Sequence, residues 1–326
     1  MTRSLTAAAE AFDPRGLGLS AARSLLAIAE LTVLAASPES LLFGSTPSSP
    51  PDQLCSGIGA VTLWCAGSSQ PNVAQLAALM ILGAVIAGLW PRWLCIPHWY
   101  VAFSMATRMV VLNGGDEIAQ ILTLLLIPAC LGDNRWCHWT RPDRPMLPVW
   151  HGSSFAASLL LRCQAAIVYF DAALSKLGFS AWRSGHAVPI LLNDPQFGLP
   201  PQVRGIAERV LAPGAVGTAV TWSVLVIECS IGASMLLGVR ARRTGLVLGV
   251  CLHVSIIIAM GLFSFGLSMV ALLTAVSDCG FRTGSPAALS PAPPAEPGGA
   301  GRGRVNHLMP SSAVPAPAAS ARAKKG

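Results

Sequence analysis

The residues of this chain that could do chemistry stand where ionisable groups are costly, inside or at the ends of long apolar runs. Lys176 closes the stretch Tyr169-Phe170-Asp171-Ala172-Ala173-Leu174-Ser175-Lys176-Leu177, and His253 lies near the middle of another apolar run. Asp116 and Glu117 follow two glycines in the turn Asn113-Gly114-Gly115-Asp116-Glu117. A lysine amine in apolar surroundings is a candidate general base, although a lysine at a helix end can also simply snorkel to the interface. The two acids suit a helix start, where they favour the dipole, so capping alone would explain them. Gly114 and Gly115 leave a backbone gap through which a ligand could approach, with Arg108 and Asp171 as further polar groups for holding it. Asp171 precedes Lys176 by five residues and therefore points to a different helix face. His253 could bond a neighbouring helix or join a polar site. Glu30, His98, Arg162 and Glu228 complete the ionisable groups in apolar stretches, and His98, beside Trp99 and Tyr100, reads as part of an interfacial aromatic belt.

The elements that must position these groups are membrane helices. Hydrophobic residues make up 53% of the 326 and charged residues only 11%, less than half of the roughly 25% of an ordinary soluble domain. The uncharged runs reach the ~20 residues that cross a bilayer as a helix. Segments near 20–36, 73–90, 94–112, 117–132, 155–177, 214–238, 244–260 and 262–278 predict an all-α integral membrane protein, a bundle of about eight transmembrane helices. Residues 244–278 could hold two short spans broken near Gly261 or one long tilted helix, and the alternation of loop charge favours two. Arg3, Arg15, Arg23, Arg92, Arg135, Arg141, Arg144, Arg240, Arg242, Arg243 and the C-terminal Arg and Lys residues then fall on one side, placing both termini in the cytoplasm. The loop from Ser37 to Asn72 has no Lys or Arg and faces outward, with Asp116 and Lys176 on its side.

Residues 1–19 thus form a cytoplasmic segment and 20–280 the transmembrane domain, with the outward loop 37–72. The first span reads as a retained signal anchor, because Asp13, Pro14 and Arg15 interrupt a cleavable-signal layout. Residues 281–326, rich in Pro, Ala and basic side chains, form a disordered cytoplasmic tail. The net charge of +7 is explained by topology, and no nucleic-acid-binding motif accompanies it. The nine cysteines include no C-x-x-C pair, so no metal site is expected, and most lie in apolar runs as small hydrophobes. Cys55 and Cys65 in the outward loop could form a disulfide. Zinc, nucleotide and serine-hydrolase motifs are missing, and Asn113 stands where an intramembrane aspartyl protease needs the first glycine of its G-x-G-D.

Three stretches carry a family likeness: Arg23-Ser24-Leu25-Leu26-Ala27; Trp90-Pro91-Arg92 with His98-Trp99 and Ser104; and Asn113 through Pro128. Across residues 15–280 the chain resembles the sporulation-delaying protein B family. That family is similar in turn to the membrane domain of vitamin K-dependent gamma-carboxylase, the HTTM domain. Tyr169-Phe170, Ser175-Lys176-Leu177 and Trp182 resemble the carboxylase stretch that contains its catalytic lysine, with Lys176 at the matching position. Ser175 replaces the preceding lysine, and the carboxylase's large lumenal propeptide-binding domain has no counterpart, which argues against glutamate carboxylation.

The resemblance implies a multi-pass protein of the bacterial plasma membrane that acts with a small protein A-like partner. Together they mature a secreted antimicrobial or toxin peptide from its precursor, and no cofactor is implied. The candidate site comprises Lys176, Asp116, Glu117 and His253, with Arg108, Asp171, Gly114 and Gly115 for binding. The alternatives are a quinone- or lipid-linked enzyme using Lys176 as base, and a non-catalytic binder or transporter. A transporter would favour an internal repeat, and the two halves show no convincing one.

Overall fold

The structure is a computed structural model that describes residues 9–10, 12–37, 55–67, 71–109, 113–195, 197–210 and 214–277. The expected tail and most of the outward loop lie outside these residues. Regular structure among the described residues is helical, as expected, with an isolated bridge between Leu89 and Cys137. Eight helices occupy the eight expected segments: α1 (Leu17–Ala36), α2 (Pro71–Ile86), α3 (Pro91–Arg108), α4 (Gly114–Leu131), α5 (Pro148–Leu177), α6 (Ala215–Met235), α7 (Val239–Met260) and α8 (Phe263–Ser277). Among the described residues five of them, α1, α4, α5, α6 and α7, are long and apolar enough to cross a membrane. Helices α2 and α8 are apolar but shorter, and α3 carries Arg92, Pro97, His98 and Arg108.

Local chemistry sets the boundaries. Pro91 and Pro148 occupy first-turn positions, where a missing N–H costs nothing. At α4, the Asn113 side chain accepts from the Gly115 N–H at 2.7 Å and Asp116 Oδ2 accepts from the Asn113 N–H at 3.0 Å, a reciprocal capping box. Gly261 ends α7 in the left-handed region, φ 69°, and two residues later α8 begins. Residues 239–277 are therefore two helices, with the break where the glycine permits it.

Consecutive helices pack on one another, and α8 closes against α1 while also touching α4, α5 and α7. That position demands a thin helix. Gly266, Ser268, Ala271, Ala275 and Ser277 are all buried, so small side chains bring the neighbours close. On α7, a Cβ at Gly249 would overlap the end of the Leu273 side chain of α8, so Leu273 packs into the space the glycine leaves. The outer faces carry exposed Leu160, Ile167 and Leu174 on α5, Val226 on α6, and Val247, Val254 and Ile258 on α7. Such surfaces suit lipid.

His98 corrects its expected place in an aromatic belt. It is 2% exposed, and its Nε2 lies 3.2 Å from Glu30 Oε2, joining α3 to α1 inside the bundle. The ring belongs inside because only there can it face the equally buried carboxylate of α1. Cys55 and Cys65 are disulfide-bonded, with Cα atoms 5.6 Å apart.

The loop between α4 and α5 is clamped to the opposite end of the bundle. Arg135 pairs with Asp133 at 2.7 Å and donates to the carbonyls of His138 and Thr140 at 2.7 and 2.6 Å. The His138 N–H donates to the Gly88 carbonyl at 2.8 Å, while the Arg23 guanidinium donates to its Nδ1 at 2.9 Å. An acceptor Nδ1 requires the neutral ring. Burial, reinforced by Arg23 and Arg135, pushes the imidazole down from 6.5 to about 3. Between those values the unfolded chain binds a proton that the folded one rejects, so stability is complete above pH 6.5 and falls toward pH 3. His138→Gln should flatten that part of the stability profile; detergent-solubilised protein whose variant and parent lose thermal stability in parallel from pH 6.5 to 4 would contradict the assignment.

Candidate functional site

Helix α5 delivers Lys176 to its last turn, ended by Gly178, with Arg183 donating to the carbonyls of Leu177 and Gly178 at 2.7 and 2.8 Å. Cations satisfy the free carbonyls of a helix C-terminus in this way. The α6 residue opposite is Glu228. Lys176 Nζ donates to Glu228 Oε1 at 2.7 Å and to the Ala172 carbonyl at 3.2 Å, and lies 5.5 Å from the centre of the Trp182 ring. Glu228 keeps 8% of its side-chain exposure and Lys176 27%. Glu228 Oε2 is buried and has no hydrogen-bond partner among the described residues.

One turn or more down α5, Tyr169 is 1% exposed and its hydroxyl lies 2.8 Å from His253 Nε2 on α7. His253 Nδ1 is buried without a partner among the described residues, and Phe265 of α8 meets the imidazole edge-on at 5.6 Å. These groups line a cavity of about 470 Å³ between α5, α6 and α7, whose remaining walls include Val188, Leu191, Val224, Leu252, Ile256 and Met269. That size suits a small ligand or a short segment of a larger one.

A cap built from two short helices, Ser180–Arg183 and Ala187–Leu192, supplies Trp182, Val188 and Leu191 to the cavity wall. Thr221 of α6, fully buried, anchors it. Its hydroxyl bonds the Gly185 carbonyl at 2.9 Å and accepts the Val188 N–H at 3.3 Å. Gly185 has φ 78° and sits so close to Thr218 that a Cβ would clash with it.

The expected site residues separate into groups. Lys176 and His253 line the cavity together. Asp116 is buried in the capping box, 6% exposed, and Glu117 is exposed; neither lines the cavity. Gly115 packs against the Phe265 backbone, where a Cβ would come within 2.7 Å, and Gly114 lies over the Phe265 ring. The turn thus meets Phe265, which stacks edge-on with His253, and Asn113 Nδ2 donates to Ser264 Oγ of α8 at 3.3 Å. Asp171 is exposed on α5, and Arg108 is buried at the end of α3 with Nε and Nη1 unpartnered among the described residues; both stand apart from the cavity. Glu228 was visible in the sequence as an acid in an apolar run, but its partner was not. Thr221 gave no signal at all.

The chain is 28% identical over 261 residues to sporulation-delaying protein SdpB of Bacillus subtilis (strain 168), an alignment covering 77% of this chain and 78% of that protein. By this likeness and its apolar helices it is a membrane protein similar to SdpB. It is also 27% identical over 256 residues to the uncharacterized protein YitO of the same strain, covering 77% of this chain and 82% of that protein. No protein-family model and no solved structure matches it.

Thr221→Val keeps the shape of the anchor and removes its hydroxyl, leaving the Gly185 carbonyl and the Val188 N–H without that partner. Losing such a bond is worth about 1 kcal/mol, so hydrogen exchange over residues 180–192 should quicken by roughly fivefold while α5 is unaffected. Unchanged exchange in the cap would show that something else holds it.

Proposed function

We propose that this SdpB-like chain is the membrane component of a peptide-maturation system. With a small protein A-like partner it brings a secreted antimicrobial or toxin peptide precursor to its mature form at the bacterial plasma membrane. All eight helices cross, with both termini inside, and the Lys176 end of α5 lies toward the outer side. The observation that carries this proposal is the Lys176–Glu228 pair at the wall of an apolar cavity, in a chain whose likeness to SdpB runs over 77% of its length.

Lys176 is the group placed to act on a bound substrate. Transfer of its proton across the 2.7 Å contact to Glu228 leaves a neutral amine and a neutral carboxyl, freeing a nitrogen lone pair to accept a substrate proton. Tyr169, about two turns earlier on the same α5, and His253 of α7 line the same cavity and can orient a carbonyl or amide. A second proposal, favoured by the largely apolar cavity walls, is a quinone- or lipid-linked enzyme that uses Lys176 as its base. Mass spectrometry of the purified protein for bound quinone separates the two.

Lys176→Ala, expressed at the parent's level in cells that make the precursor, should abolish the processed peptide. Processing that continues at the parental rate would remove the lysine from the mechanism.

A further inference from the structure

The hydrogen-bonding capacity left open in the cavity specifies its occupant. Glu228 Oε2 is a buried acceptor without a partner among the described residues. Lys176 Nζ has three hydrogens, and among the described residues two acceptors, Glu228 Oε1 and the Ala172 carbonyl, receive them. The cavity wall thus holds an open acceptor and an open donor, on an ion pair whose charges already cancel. The other described lining residues are apolar except Tyr169, His253, Ser255 and the indole N–H of Trp182.

An anionic ligand would set a second negative charge beside Glu228, and an ammonium would set a second positive one beside Lys176. A group that only accepts hydrogen bonds would leave Glu228 Oε2 unpaired, a costly outcome in a buried site. A neutral secondary amide satisfies both, because its N–H and C=O are fixed on adjacent atoms. We propose that the cavity binds an apolar peptide segment through one backbone amide, its N–H donated to Glu228 Oε2 and its carbonyl accepting from Lys176 Nζ. Apolar side chains fill the space between Trp182, Val188 and Val224. His253 Nδ1, also buried and open, meets the next peptide group. When Tyr169 donates to Nε2, Nδ1 carries the ring hydrogen and donates it to a carbonyl.

The proposal rests on the peptide-maturation function and names what its site holds. Binding is measurable without processing, which keeps the two separable: a protein that prefers the amide while precursor in cells matures normally without it retains this site and loses the maturation role.

The test uses the full-length protein in nanodiscs, with binding to empty nanodiscs subtracted. The probe is a labelled N-acetyl dileucine methylamide, compared with the same compound bearing an ester in place of its central amide. The amide should bind about tenfold or more tightly, since the ester leaves Glu228 Oε2 facing an oxygen. Val224→Trp, which fills the cavity, should abolish specific binding of the amide. Equal affinity for amide and ester on the unaltered protein would overturn the proposal. So would displacement of the peptide by a long-chain alkyl quinone at equal or lower concentration, which would identify an acceptor-only ligand as the better fit.

Discussion

An ammonium and a carboxylate taken out of water each lose several kcal/mol of hydration, and their mutual attraction compensates only while both are held in place. The 2.7 Å contact between Lys176 and Glu228 therefore constrains everything around it. Helix α5 must stop where its last turn faces α6, and Gly178 with Arg183 ends it there. The chain that follows must return over the pair, and Thr221 fixes it to the same α6 that carries Glu228. The lysine remains partly exposed toward Trp182, so the site is sheltered without being sealed.

Holding α5, α6 and α7 at that spacing depends on the slender α8. Its small residues let α1, α4, α5 and α7 gather round it, and Gly249 of α7 admits Leu273 without a gap. Phe265 at its start links the α4 turn to His253, so the capping box of Asn113 and Asp116 supports the cavity from behind. At the other end, Arg23 and Arg135 bind a neutral His138 and tie the α4–α5 loop to α1 and α2. The charged network there joins elements, while the Lys176–Glu228 ion pair lines a cavity.

Much of this was legible from sequence because membrane helices announce themselves by length and composition. The break near Gly261 was legible too, since one glycine separated two apolar runs. Lys176 and His253 stood out as ionisable groups in apolar surroundings, and the cavity contains both. Their partners did not, because Lys176 and Glu228 are 52 residues apart and meet only through the packing of α5 on α6. Asp116 carried two meanings in sequence, site or cap, and its side chain forms the cap. His98 sat among aromatic residues that suggested an interface, while the deciding neighbour, Glu30, lies on another helix. The cap anchored by Thr221 had neither periodicity nor motif to betray it.

The interaction at the centre of this account is best tested by a double-mutant cycle on the pair. Lys176→Met, Glu228→Leu and the double variant should be compared with the parent by thermal unfolding in detergent. Each single change strands one charge in apolar surroundings, whereas the double change leaves none. A coupling of the order of 2 kcal/mol is predicted, below the ~3–5 kcal/mol of fully buried pairs because Lys176 retains solvent contact, with the double variant recovering most of the lost stability. Additive losses, with the double variant the least stable of the four, would contradict the claim that this ion pair organises the site.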